Sequence, residues 1–160
     1  MAEIARDRAS DPRLKQLSFF LPNRLGALFR ATQHLEKEHV RICGLSLLDA
    51  TDHVVVRMIV NRPAVAKEQL AKAGYPVYEA ELLGVALPTS EEFGIRKVLS
   101  GLLGAEINIA YAYALIVQVD GHPVLALKVD DMDVAARVVR SAKLDLVDQA
   151  ELGWEERDAS

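Results

Sequence analysis

The hexapeptide Val77-Tyr-Glu-Ala-Glu-Leu82 returns 70 positions later as Val147-Asp-Gln-Ala-Glu-Leu152. A repeat at this spacing constrains the fold more than any local propensity, because each copy must build the same unit and neighbouring units must bury a surface together. Within the first copy, residues 14–21 (Leu-Lys-Gln-Leu-Ser-Phe-Phe-Leu) read as a strand ended by Pro22-Asn23, since proline removes a ladder donor and asparagine suits a turn or helix cap. Leu25, Leu28, Phe29, Thr32 and Leu35 then recur at three- and four-residue steps, which predicts a helix that buries this face and turns Arg30, Gln33 and Lys37 to water. Residues 40–48 and 54–60 are β-rich runs around the polar segment 49–53, a strand, turn and strand. Pro63 suits the first turn of a second helix that Gly74 stops, and Val77 opens another strand. The order β-α-β-β-α-β is the ferredoxin-like pattern.

The second copy follows the same order. Residues 83–87 are its opening strand, Glu91 or Glu92 to Leu103 its first helix with Gly104 as the stop, and 107–119 and 123–129 a hairpin around Asp120-Gly121. Residues 131–142 form the second helix and 144–152 the closing strand. Leu28, Ala31 and Leu35 correspond to Ile95, Val98 and Leu102, 67 positions on. Between Val77 and Leu87 only Gly84 signals a turn, so the copies join almost directly and rigidly. The chain thus divides into a flexible extension (1–13), two modules (14–82 and 83–153) and a tail (154–160). A unit of about 70 residues is marginal by itself, so the modules need each other.

Composition narrows the function. With 19 Lys and Arg against 23 Asp and Glu, and no basic stretch, the chain lacks the cationic footprint of a nucleic-acid binder. No apolar run reaches the roughly 20 residues of a membrane span, and the charged N-terminus is unlike a signal peptide, so a cytoplasmic location is expected. The single cysteine, Cys43, reads as a small buried apolar residue. His34 and His39 are five apart, not the four that brings two imidazoles to one metal, so no metal or other cofactor is expected. The acids at 91–92 and 130–133 fall at helix starts, where carboxylates complement the dipole.

The segment Lys15-Gln-Leu-Ser-Phe-Phe-Leu-Pro-Asn-Arg-Leu-Gly-Ala-Leu28, with Pro-Asn-x-x-Gly-x-Leu between strand and helix, resembles the ACT domain, and 107–113 (Ile-Asn-Ile-Ala-Tyr-Ala-Tyr) resembles the second strand of the second module in tandem ACT proteins. The resemblance covers both copies. It implies an α+β fold of two tandem βαββαβ ferredoxin-like modules with antiparallel sheets. It further implies a non-enzymatic regulatory or sensor protein, expected to be a homodimer, that holds a free amino acid between modules and passes its output to a separate protein, such as a regulated enzyme, or to the oligomer state.

The expected ligand site is the first β-to-α corner: Asn23, Arg24, Leu25, Gly26 and Ala27. A helix N-terminus offers unpaired N–H groups and the positive end of the dipole, a ready carboxylate site. Gly26 lets a ligand approach the main chain, Asn23 can cap the helix and accept from an ammonium, and Arg24 can add a charged contact. The plainer reading leaves Asn23 a cap and Gly26 a packing residue. The second copy puts Phe93 opposite Gly26, and Thr89 with Glu92 has capping-box spacing, so that corner is expected to repel a carboxylate and to serve as the facing wall. Tyr111 and Tyr113 share one strand face with Ile107, Ile109 and Leu115, and are either ligand contacts or packing residues. The competing function is a ligand-free assembly module that binds a partner protein through its sheets.

Overall fold

The computed structural model describes residues 12–90 and 92–156; the N-terminal extension up to residue 11, Glu91 and the last four residues lie outside that description. In chain order come β1 (Arg13–Pro22), α1 (Ala27–Glu36), β2 (Ile42–Ala50), β3 (His53–Val60), α2 (Pro63–Lys72) and β4 (Tyr78–Ala86). They are followed by α3 (Gly94–Gly104), β5 (Ile109–Val119), β6 (His122–Val129), α4 (Met132–Ser141), β7 (Asp145–Val147) and a 3-10 helix (Gln149–Glu156). The starts of α1 and α3, and of β2 and β5, are 67 residues apart, the spacing of the matched helical positions.

Each copy has the ferredoxin-like strand order, β4-β1-β3-β2 in the first and β7-β4-β6-β5 in the second, with every pairing antiparallel. Two separate sheets, however, do not form. β4 is one unbroken strand that serves both copies, so the 82/83 boundary falls inside it: Tyr78 to Leu83 pair with β1, while Gly84 pairs with Ala126 of β6 and Val147 of β7. At the opposite edges β2 meets β5 at Gly44 and Leu115. Six strands therefore close into a ring, β1-β3-β2-β5-β6-β4, with β7 attached beside β4. Closure removes the exposed edges that two separate sheets would leave. Gly44 allows it, since a Cβ there would stand 2.5 Å from Leu115 Cδ2 and 3.4 Å from Tyr113 Cε2.

Three apolar cores result. One lies between sheet and helices of the first copy (Phe19, Leu35, Met58, Leu70), and one is its counterpart in the second (Leu83, Leu102, Leu127, Val139). The third fills the barrel, where Leu14, Ile59, Leu82 and Leu115 meet and Cys43 is buried as expected.

Several local expectations are corrected. Gly26 at φ +79° lies outside helical space, so α1 begins at Ala27 and buries Ala27, Ala31 and Leu35, leaving Leu25 99% and Phe29 66% exposed. α1 carries two apolar stripes, and the alanine-bearing one packs because it lets the helix approach the sheet. Asn23 does not cap α1, which starts four residues beyond it, and Thr89 with Glu92 forms no capping box on α3, which starts at Gly94. Asp131 does cap α4, accepting from the Val134 N–H at 3.0 Å.

A one-residue register shift between Ile109 and Tyr111 turns Ile107 and Ile109 to the helix-side core, whereas Tyr111, Tyr113 and Leu115 face the barrel. A β-bulge inverts side-chain alternation in this way. β2 has the same shift 67 positions earlier, between Ile42 and Gly44.

The repeated hexapeptide adopts two conformations. Its first copy is strand; in the second, β7 ends at Val147 and a 3-10 helix begins at Gln149, in place of a strand to Leu152, and the expected tail from Trp154 starts inside that helix. The cause is that β1 already occupies the β4 edge beyond Gly84, with Arg13 paired to Leu83. The chain turns instead: the Gln149 amide donates to the Val60 carbonyl (2.8 Å) and accepts from the Lys15 N–H (3.0 Å), and Leu152 enters the barrel core. The 3-10 helix thus plugs the barrel end formed by the start of β1 and the ends of β3 and β5.

Candidate functional site

Tyr111 and Tyr113 reach across the barrel to Gln16, the amide of β1, which is only 1% exposed. Gln16 Nε2 donates to Tyr111 Oη, and Tyr113 Oη donates to Gln16 Oε1, each at 2.8 Å. The Arg57 guanidinium lies 3.8 Å above the Tyr111 ring centroid. Burial pushes the Tyr113 phenol pKa well up, the Tyr111 phenol adds to the shift, and Arg57 opposes it, so the Tyr113 hydroxyl stays protonated and remains a donor. Both tyrosines thus join the first copy's β1 to the second copy's β5. Asn23 is seven residues further along β1's direction, roughly 20 Å at about 3.3 Å per residue, so one chain does not bring the tyrosines and the corner into one pocket.

The corner itself is built by a tight turn. The Arg24 N–H donates to the Pro22 carbonyl at 2.8 Å, the Ala27 N–H to the Arg24 carbonyl at 3.2 Å, and Gly26 takes the left-handed conformation that favours glycine. Gly26 has no side chain to cap α1 and no acid occupies its first turn, so by helix geometry the Leu28 and Phe29 N–H groups have no partner within the helix. Arg30 folds back over this turn: Nη2 donates to the Leu25 carbonyl at 3.4 Å, and Nη1 stands 2.8 Å from the position of a Gly26 Cβ. The space above Gly26 is therefore covered by a guanidinium and is not bare. Asn23, Arg24 and Leu25 are exposed and Ala27 is buried.

The second corner differs. An open groove of about 820 Å³ runs from Pro88 and Phe93 along the outer side of α3, past Ile95, Leu99 and Leu103. Those last three are spaced i, i+4, i+8, so they form one stripe, and all are exposed, Leu103 by 78%. The matching positions of α1 are Leu28, Thr32 and Glu36, so the fold does not require an apolar stripe there. Glu92 lies at the mouth of the groove.

Residues 13–154 match the sequence model of the ACT domain pair. The chain belongs to that family. Among solved structures, this ACT pair is similar to protein BT0572 from Bacteroides thetaiotaomicron, with 27% identity, a TM-score of 0.80, and coverage of 88% of this chain and 96% of that one. It also shares its fold with the regulatory subunit of aspartate kinase from Thermus thermophilus in ligand-free form (14% identity, TM-score 0.59, 82% and 93% covered) and from Thermus flavus (14%, 0.54, 82% and 94%). Among curated proteins none matches.

Sequence reasoning missed three features of this ACT pair. Gln16 was legible only as a strand residue, although an amide alternating inward between Leu14 and Ser18 is a signal of a buried polar contact. Arg30 follows Gly26 by four residues, one helical turn, which lets its side chain return over the corner. The Ile95, Leu99 and Leu103 spacing also signalled a second apolar stripe on α3. Among the described residues, no group of three or more His, Cys, Asp or Glu is placed to hold a metal, and no helix is long and apolar enough to cross a membrane.

Proposed function

We propose that this ACT pair is a cytoplasmic regulatory protein that binds a free amino acid, or a zwitterion of like size, without chemically converting it. The ligand rests on the first corner of one copy of the chain and is closed over by the α3 groove of a second copy. The contrast between the two corners carries this reading: the first projects Leu25 and Phe29 and is cationic, while the second is an apolar groove with a carboxylate at its mouth. The ligand carboxylate takes the first-turn N–H groups of α1 and draws Arg30 away from the Leu25 carbonyl. Asn23 and Glu92 of the second copy accept from the ammonium group. Because binding couples the corner to a second chain, occupancy shifts the association state, which is the signal passed to a regulated enzyme. The shared fold with an aspartate kinase regulatory subunit supports a regulatory reading. The exposed α3 stripe is equally what a ligand-free assembly module would show, so ligand response decides between them.

A thermal-shift screen of the twenty amino acids tests this. A ligand at about 100 times its Kd stabilises the native state by roughly 2.7 kcal/mol, a rise of about 5–10 °C for a chain of this size. Arg30→Ala and Gly26→Val are expected to reduce the shift, and Asn23→Ala to weaken it less. Flat curves for all twenty would favour the assembly module, and a shift unchanged in all three variants would remove the corner from the site.

A further inference from the structure

The barrel has two ends, and only one is plugged by the 3-10 helix with Leu152. At the other end, where β1 and β2 finish and β4 and β5 begin, the first copy's hexapeptide is held as strand and leaves no counterpart to the plug. Strand alternation and register turn Phe20, Leu48 and Tyr78 inward at this rim, yet each is at least half exposed. Phe20 meets Tyr78 and His53 edge-on, with ring centroids 6.1 and 5.1 Å apart, so the rim is an aromatic cluster that is still open to water.

Beneath the rim the chemistry is cationic. Arg57 is partly buried, and among the described residues its guanidinium, set over the Tyr111 ring, makes no hydrogen bond and no ion pair. Lys128, paired with Tyr111, alternates with the helix-side Leu127 and so shares the inward face. Glu79 and Glu81 of β4 face outward and pair with Lys67 and Arg13. The hydrogen-bonded Gln16, Tyr111 and Tyr113 form a fixed floor. A guanidinium set over a ring can still offer its N–H groups to a planar two-oxygen anion, and the mouth of a barrel is a common place for a small-molecule site.

We infer that this open mouth is a second ligand site, separate from the first corner, and that it takes a small carboxylate with a flat apolar body. The carboxylate meets Arg57, with Lys128 adding charge, and the apolar body is covered by Phe20, Leu48 and Tyr78. The site lies within one chain and needs no second copy.

Calorimetric titration of the full chain with benzoate, phenylacetate and inorganic phosphate tests it. Benzoate or phenylacetate is expected to bind at one site per chain, and Arg57→Met to weaken that binding at least about tenfold, as removal of a charge-assisted contact does, with Arg57→Lys intermediate. Ser46→Phe places a ring opposite Arg57 in β2's register and is expected to block the mouth, which gives an answer should Arg57→Met not fold. Titration repeated with a saturating stabilising amino acid should give the same affinity, and the benzoate result holds or fails whether or not any amino acid binds. No binding of either aryl acid, or binding indifferent to both Arg57→Met and Ser46→Phe, would overturn the inference; binding of phosphate alone would overturn its apolar half.

Discussion

Replacing Gly84 with valine is expected to lower the thermal midpoint by roughly 10 °C, equivalent to about 3 kcal/mol for a chain of this size. Gly84 is where β4 passes from one copy to the other: on the same edge β1 begins with Arg13 opposite Leu83, and β7 ends with Val147 opposite Gly84. A Cβ there would stand 2.7 Å from Leu14 Cδ1 and 3.0 Å from the Val147 carbonyl oxygen. The leucine can rotate, but the carbonyl belongs to the β4–β7 ladder and can move only if that pairing opens. Circular dichroism melts of Gly84→Val and Gly84→Ala should show a graded loss. A midpoint within about 2 °C of the parent for the valine variant would mean that the handover is far looser than these distances imply.

The second large effect concerns the polar floor of the barrel. Gln16→Leu is expected to cost about 2–3 kcal/mol, because it leaves the Tyr113 hydroxyl, a donor held in its protonated form by burial, without its acceptor. Tyr113→Phe should cost about 1 kcal/mol. The double variant should cost less than the two losses added together, with a coupling of about 1 kcal/mol, since two groups that satisfy each other leave no orphan when removed together. Denaturant unfolding of the four proteins measures this. Additive losses would show that Gln16 and Tyr113 do not depend on each other across the closed sheet.

The module order was legible because Pro22, Pro63, Gly74 and Asp120-Gly121 punctuate alternating and helical patterns, and because the hexapeptide repeats. Ring closure was not, since it depends on which edges remain when the copies are joined: nothing local to Gly44 or Leu115 says that they meet. The same competition for an edge explains why one hexapeptide is strand beside β1 and the other is 3-10 helix. On α1, period alone could not choose between the Leu25/Phe29 stripe and the Ala27/Ala31/Leu35 stripe, and the left-handed turn at Gly26 decided the phase. At the corner, the sequence identified the turn and its glycine, but not the return of Arg30. Tyr111 and Tyr113 were correctly placed on one face, yet their partner Gln16 lies 95 residues away from the nearer of them in sequence, a distance that no periodicity can bridge.

Whether an amino acid is held between two chains is most directly measured by sedimentation velocity of the parent chain and Leu99→Glu, each with and without the amino acid that raises the melting temperature. A charge in the middle of the α3 stripe should separate the copies. The parent is expected to shift toward a dimer when the amino acid is added, and Leu99→Glu to remain monomeric and to bind that amino acid at least about tenfold more weakly. A parent that stays monomeric while binding the amino acid, with Leu99→Glu binding it equally well, would contradict a site shared between two chains.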